Sequence, residues 1–448
     1  MTETTINPRA FNRHVWALAI PIMATNVTVP LLGLVDTAVV GRLPGPEYLG
    51  AVAIGAVIIS VLYSSLNFLR MGTTGLTAQS FGASDADQIR SWLARACMLS
   101  VALGLGLIVL QIPVLSIAQW LMAPSDDVRP LTESYFQIRI WGAPAALLNF
   151  ALLGWFFGVQ NMRAALISQV FLNGLNIVLD IWFVLGLGWG VDGVAYATII
   201  SEYSAAILGF QLAALQLKKL GGTWRWDRIR DTSRLRRMFG VNRDIFIRSM
   251  CLQAAFVIFT SAGTRMGDEV LAANALLLQF TMFTAYALDG FANAAEAMAG
   301  QAVGANDRTL FRQAVKVTTA WGVLFSLLFG LAYWVFGNAI VDTLSTVPVV
   351  RETAYHYLPW MIALPFVSVW SFQFDGIFIG ATWTREMRNC MAVSLAIFAA
   401  AVPFAIDAWS NMGLWAAFTL FMGLRGLTMG ALYPRLARGV GSEPVRDA

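Results

Sequence analysis

The sequence repeats itself at a spacing of 222 residues, and no other feature constrains its fold as strongly. At many polar and glycine positions of the first half, the same residue type recurs 222 positions later. The matching pairs are Gly41/Gly263, Glu47/Glu269, Leu49/Leu271, Gln79/Gln301, Gly82/Gly304, Asp85/Asp307, Arg90/Arg312, Gly158/Gly380 and Arg163/Arg385. Because the offset does not shift along these pairs, the sequence predicts two halves with one common fold.

Composition places both halves in a lipid bilayer. Hydrophobic residues make up 58% of the 448 residues and charged residues only 12%, whereas a soluble domain carries about 25% charged residues. The mean hydropathy is +0.65. A duplicated membrane chain is typical of transporters that move one half against the other, and a duplication without a transport role is the alternative.

Six apolar stretches in each half are long enough to cross the membrane, since a spanning helix needs about 20 apolar residues. The predicted spans are 14–40, 48–72, 92–121, 132–158, 164–187, 193–217, 239–263, 270–300, 311–341, 354–380, 387–408 and 413–436. The apolar run of the first span is too long for the core of a signal peptide, so we expect a retained helix. Six spans return each half to its starting side, which predicts all-α lobes related by a pseudo-two-fold axis along the membrane normal.

Charge in the loops predicts the orientation of the chain. The segment Lys218–Arg237 contains eight lysine and arginine residues against two aspartates. The opposite loops carry acidic residues, namely Asp126, Asp127, Asp192 and Asp342. Under the positive-inside rule, the basic segment and both termini lie in the cytoplasm. We therefore expect an N-lobe at 1–218, a linker at 219–237 that contacts anionic lipid headgroups rather than nucleic acid, and a C-lobe at 238–448.

Ionisable residues within the spans are the candidate functional residues, because a charge at mid-membrane costs about 2.5–3.5 kcal/mol on insertion scales. Asn173, Asn176 and Asp180 follow one another at i, i+3 and i+7 and so share one helical face. Asp36 lies in the first span, and Thr198 precedes Glu202 by four residues in the sixth. Such carboxylates, amides and hydroxyls suit a proton or a small cation, and a hydrogen-bond network between helices is the alternative.

The second half carries different acids on the same scaffold. Asp289 and Glu296 lie on one face of the eighth span, and Asp375 lies in the tenth. The 222-residue offset maps Asp36 onto Ile258 and Asp180 onto Val402, so the first-half acids are not duplicated. We expect Asp289, Glu296 and Asp375 to bind a cationic substrate or to pair with Arg248 or Arg425.

Other chemistry has no sequence support. The chain has no phosphate-binding GxxxxGK[ST] motif, and its two histidines, His14 and His356, have no metal-ligand spacing. No nucleophile and base can be paired, and the three cysteines suggest packing rather than a disulfide framework. We therefore expect no cofactor and no enzymatic activity, with transport that is driven by an ion gradient or passive.

The motifs resemble those of the multidrug and toxic compound extrusion (MATE) transporters. Pro30–Leu43 resembles the signature of the family's first helix, and Ala78–Ala83 with Gly300–Ala305 resembles its paired motifs after spans two and eight. The similarity covers the whole chain and is greatest to the DinF-like branch. It implies that Asp36, Asn176, Asp180 and Thr198 form an N-lobe cation site and that Pro21 is the proline at which the first helix bends.

The resemblance implies a V-shaped fold of twelve transmembrane helices and efflux of organic cations in exchange for H⁺ or Na⁺ by alternating access. Further polar side chains are expected to support the site, and these are Asn26, Tyr135, Asn149, Asn173 and Glu202. We expect a monomer in the cytoplasmic (inner) membrane that handles small cationic or amphipathic substrates. The alternatives are a flippase for a lipid-linked precursor, which would want a basic cavity, and a membrane-embedded enzyme.

Overall fold

Helices account for nearly all of the chain. The computed structural model describes residues 8–441, excepting the side chains at 27–32 and 34. Its α-helices are α1 Pro8–Val40, α2 Pro46–Ser65, α3 Phe68–Gly82, α4 Ala86–Val109, α5 Gln111–Met122, α6 Val128–Arg139, α7 Ala143–Gly158, α8 Met162–Asp180, α9 Gly190–Leu220, α10 Trp226–Ile229, α11 Thr232–Thr264, α12 Asp268–Gly304, α13 Arg308–Leu344, α14 Pro348–Gly380 and α15 Thr384–Gly439. A 3₁₀ turn at Ile140–Gly142 joins α6 to α7, and a π-helical turn at Ile181–Gly186 follows α8.

The long apolar helices reproduce the predicted spans. Within the described residues, ten helical stretches have the length and hydropathy to cross a membrane. One of them, α15, is broken at Ser410, where φ is 52° and ψ is −134°, so it supplies two spans. Helix α1 adds a further candidate of 33 residues. Counted this way the described chain offers twelve spans, and the prediction of an all-α membrane protein is confirmed.

The helices divide into two compact units. The N-unit is Ala24–Met238, and the C-unit combines the described residues up to Met23 with those from Phe239 onward. Each unit holds most of one sequence half, but the start of α1 belongs to the C-unit. The predicted lobe limits at 218 and 238 stay predictions.

The 222-residue repeat is visible in the helix boundaries. Helices α2, α4 and α8 begin 222 residues before α12, α13 and α15. The turns repeat as well, because Ser84 and Asn306 both have positive φ, of 56° and 53°. After each of these turns an aspartate caps the next helix, since Asp85 accepts from Gln88 N at 3.0 Å and Asp307 accepts from Leu310 N at 2.9 Å. The polar residues that repeat therefore mark how each half turns between helices.

Repeated glycines bring two helices of each unit into backbone contact. A Cβ atom added at Gly154 in α7 would lie 2.2 Å from the Arg70 carbonyl oxygen of α3. At the equivalent Gly376 in α14, it would lie 2.1 Å from the Ala292 carbonyl oxygen of α12. Side chains larger than hydrogen cannot fit at either contact, so the glycines fix the same helix pair in both units.

The linker is held against the N-unit by the side chains of α4. Arg90 donates to the carbonyl oxygens of Leu217 and Gly221 at 2.8 and 2.9 Å, and Asp87 accepts from Thr223 N at 2.7 Å. Further contacts join Arg95 to the carbonyls of Arg228 and Ile229, Arg228 to Asp85, and Arg237 to Gln79. The basic segment is thus a docked part of the N-unit.

The glycine contacts make a first prediction. Gly154→Ala and Gly376→Ala each force a methyl group into a backbone oxygen, and we expect a loss of about 1–3 kcal/mol in stability. The unfolding temperature of the detergent-solubilised protein measures the effect. Gly106→Ala in α4 is the control, because nothing lies within 4 Å of its added Cβ. Equal unfolding temperatures for all three variants would contradict the proposed close contact.

Candidate cation site

Three helices of the N-unit carry the four residues of the predicted cation site. Asp36 lies near the end of α1, and Asp180 is the last residue of α8, where the backbone changes to the π-helical turn. Asn176 precedes Asp180 by about one turn, and Thr198 faces it from α9. Local π-helical geometry is rare and often occurs at functional sites. Asp180 and Asn176 are fully buried, whereas Asp36 and Thr198 are half-buried.

The four side chains form one connected cluster. The carboxyl groups of Asp36 and Asp180 lie within hydrogen-bonding reach of each other. With its amide oriented to satisfy both ends, Asn176 donates to Asp180 Oδ2 at 3.2 Å and accepts from the Thr198 hydroxyl at 3.2 Å. The Asn176 amide thus links the carboxyl pair to α9.

The carboxyl pair lacks a positive partner of its own. Asp36 Oδ1 and Asp180 Oδ1 are buried and find no hydrogen-bond partner among the described residues. Two ionised carboxylates within hydrogen-bonding reach of each other repel strongly, so such a pair shares a proton or holds a cation. The arrangement can therefore take up one positive charge and release it.

Tyr135 forms a wall of the site. Its ring is 5% exposed and packs on Gly55 of α2, where an added Cβ would lie 2.3 Å from the ring. It lies close enough to Asp36 and Asp180 to interact electrostatically with both carboxyls. Buried valines pack around it, which makes this side of the site apolar.

An ion pair that the sequence did not predict lies beside the site. Arg139 at the end of α6 binds Glu202 of α9 through two hydrogen bonds, of 2.9 Å (Nη1 to Oε2) and 2.5 Å (Nη2 to Oε1). The Tyr63 hydroxyl accepts from Arg139 Nη1 at 3.3 Å, and Asn149 donates to the Glu202 carbonyl oxygen at 2.9 Å. Arg139 lies within the predicted span 132–158, and a charge in that span was the signal that could have revealed it.

The remaining predicted N-lobe residues lie farther along the same helices. Asn173 is buried in α8 and accepts from Gln169 at 3.4 Å. Asn26 is half-buried in α1. Pro21 also lies in α1, but it belongs to the C-unit and comes two residues before the unit boundary.

Three of the described acids in the C-unit, Asp244, Asp289 and Asp375, lie near arginine side chains. Asp375 binds two arginines, Arg248 from α11 and Arg425 from α15, the latter at 2.6 Å. Asp289 lies near enough to Arg425 to interact with it electrostatically. Glu296 is buried in α12, where its carbonyl oxygen lies against Gly380. A further buried acid that the sequence did not predict, Asp244, accepts from Arg388 at 2.7 Å.

No group of three or more histidine, cysteine, aspartate or glutamate side chains that could hold a metal ion occurs in the part of the chain that the structure describes. The carboxyl pair of the N-unit would have to complete any cation shell with neutral oxygens. The Thr198 hydroxyl is one candidate, and the Asn176 amide is a second if it turns its oxygen toward Asp180.

The arginine pairing of Asp375 makes a second prediction. Asp375→Asn leaves two buried guanidinium groups without their carboxylate, and breaking such a pair costs about 3–5 kcal/mol. We expect a clear drop in the unfolding temperature. Asp342→Asn is the control, because its partner Arg351 lies 3.5 Å away at the surface and exposed pairs contribute under about 1 kcal/mol. Equal losses in both variants would show that burial does not decide the cost.

Comparison with known proteins agrees with the fold. A family model described as MatE matches residues 21–182 and again residues 245–405, so each half matches separately. The chain is 41% identical to DNA damage-inducible protein F of Escherichia coli (strain K12) over 424 residues, which cover 95% of this chain and 92% of that protein. It is 22% identical to the probable multidrug resistance protein YpnP of Bacillus subtilis (strain 168), covering 92% and 89% of the two chains.

Solved structures agree as well. An outward-facing multidrug resistance MATE family transporter of the MOP superfamily superposes with a TM-score of 0.86 at 19% identity, over 95% of this chain and 96% of that one. The predicted family, branch and fold are confirmed, and the relatives are transporters rather than enzymes. The chain belongs to the MATE family of multidrug and toxic compound extrusion transporters.

Proposed function

We propose that this MATE transporter is a secondary antiporter, which exports organic cations in exchange for H⁺ or Na⁺. The observation that supports this is the pair of facing carboxyl groups, Asp36 and Asp180, each with a buried oxygen that lacks a partner among the described residues. A pair of this kind gains free energy from one bound positive charge and loses it when the charge leaves. The coupling ion, H⁺ or Na⁺, would supply that charge.

Coupling follows from the helices that carry the two carboxyls. Asp36 and Asp180 belong to α1 and α8, so a bound ion attracts both carboxylates and holds these helices together. Loss of the ion leaves two like charges that repel. A ligand shifts a conformational equilibrium by its difference in affinity for the two states. If the ion and the exported substrate favour opposite states, the gradient of one drives the other.

Exchange of a cationic or amphipathic substrate is favoured over flipping of a lipid-linked precursor. Three carboxyl groups cluster in the N-unit site, from Asp36, Asp180 and Glu202, against the single guanidinium of Arg139. An anionic pyrophosphate would be repelled by this excess of acid. Purified protein that moves lipid-linked pyrophosphate but no organic cation would favour the flippase instead.

The orientation is proposed from the docked basic segment. Lysines and arginines at 218–237 would lie on the cytoplasmic side of the inner membrane, with both termini on that side. We propose a monomer, since each unit of one chain carries its own buried charge clusters and the coupling site lies wholly within one unit.

A third prediction tests the coupling site. Asp36→Asn and Asp180→Asn keep side-chain size but remove the ionisable group, and we expect each to lower coupled efflux from sealed vesicles by at least about a hundredfold. Efflux is measured at equal protein density under an imposed pH or Na⁺ gradient. Asp126→Asn, a change at an exposed loop residue, should leave efflux intact. Wild-type efflux in both site variants would reject the assignment.

A fourth prediction concerns Pro21. Proline in a helix removes a backbone hydrogen bond and favours a bend, and Pro21 shares α1 with Asp36. We expect Pro21→Ala to slow efflux several-fold while ion binding at equilibrium changes less than about threefold. Both are measured on one preparation of purified protein. If efflux stays at the wild-type rate, Pro21 serves packing and not movement.

A further inference from the structure

We propose that the ion pair Arg139–Glu202 sets the cation affinity of the Asp36–Asp180 site, because Glu202 offsets part of the field that Arg139 imposes on Asp36. The inference rests on the proposed function, since it assigns a positioning role beside the coupling site. Neither residue needs to touch the bound ion for this role.

The ion pair lies one helical turn from the cation site along both α6 and α9. Tyr135 and Arg139 are separated by four residues on α6, and Thr198 and Glu202 are separated by four residues on α9. Residues four apart lie on the same face of a helix. Each helix therefore offers one residue to the cation site and the next, one turn along, to the ion pair.

The pair is closed to water. The side chains of Arg139 and Glu202 are only 6% and 8% exposed. The Arg139 guanidinium also lies over the ring of Tyr63, at 5.3 Å from its centroid. In such a setting, screening is weak and a unit charge acts over longer distances than at a surface. The guanidinium of Arg139 interacts electrostatically with the Asp36 carboxyl from this position.

The charges of the cluster determine the direction of the effect. The charged or titratable side chains that face the site and the pair are Asp36 from α1, Tyr63 from α2, Tyr135 and Arg139 from α6, Asp180 from α8, and Glu202 and Tyr203 from α9. Arg139 is the only fixed positive charge in that set. Without Glu202, its charge would compensate the ionised aspartates and so compete with the incoming cation.

A glycine fixes the position of the ion pair. An added Cβ at Gly142 would lie 2.5 Å from Glu202 Oε2 and 2.6 Å from Arg139 Nη1. Gly142 belongs to the 3₁₀ turn that ends α6. This turn lets the backbone approach both charged groups, so the pair stays in one place relative to the aspartates.

The test compares a variant that lacks one charge of the ion pair with a variant that lacks both. Glu202→Gln leaves Arg139 uncompensated, and we expect the ion concentration for half-maximal efflux to rise roughly ten- to a hundredfold, as for a unit charge one or two turns away at an effective dielectric of about 20. The maximal rate should change less than about threefold. The double variant Arg139→Gln with Glu202→Gln removes both charges and should return the half-saturating concentration to within about threefold of wild type.

Tyr63→Phe is the matched control, because it removes a hydrogen bond to Arg139 but no charge. We expect its half-saturating concentration to stay within about threefold of wild type. Equilibrium proton uptake and retention of radioactive sodium by the purified protein provide a second measurement, which does not depend on transport.

Two outcomes separate this inference from the proposed function. If Asp36→Asn abolishes ion binding but Glu202→Gln leaves affinity unchanged, or the double variant stays as weak as the single, the ion-pair role is wrong and the coupling site stands. If Asp36→Asn binds the ion and transports like wild type, the coupling site itself is wrong.

Discussion

The repulsion between two carboxyl groups inside a helix bundle is the constraint on which the N-unit depends. Asp36 and Asp180 come from helices far apart in the sequence, and nothing in the described structure neutralises both. A buried charge without a partner is costly. Adding or removing a positive charge at the pair would therefore change the free energy of the arrangement that brings these two carboxyls together, as the proposed coupling requires.

The two units share the same helix contacts but differ in how their buried charges are paired. Glycine contacts at Gly154 and Gly376 hold the same helix pair in each unit. The buried carboxyl pair of the N-unit keeps oxygens with no hydrogen-bond partner among the described residues, whereas the C-unit binds Asp375 between two arginines. Duplication thus preserved the helix contacts, while the charged residues diverged between the halves. In the proposed function the N-unit responds to an ion, whereas Asp375 of the C-unit is held between two arginines.

Much of the fold could be predicted from the sequence, because the repeat and the apolar runs are local signals. The predicted span 354–380 ends where α14 ends, at Gly380, and the predicted start at 311 lies three residues after the start of α13 at Arg308. The shared face of Asn173, Asn176 and Asp180 on α8 was also predictable from helical spacing. The pairing of Arg139 with Glu202 was not, since the two residues lie 63 positions apart and meet only in the folded unit. The break between α2 and α3 has no counterpart in the continuous α12, so the repeat could not reveal it.

The places where the chain passes between its two units have a mechanical consequence. Both crossings, after Met23 and after Met238, fall inside helices, α1 and α11, and not in loops. A loop joint would let the units drift apart freely, but a helix resists bending and returns to its shape. The residue types nearest the crossings are the ones that soften a helix, Pro21 in α1 and Gly240 in α11. Two helices therefore join the units, so any movement of one unit against the other would have to bend or twist α1 and α11.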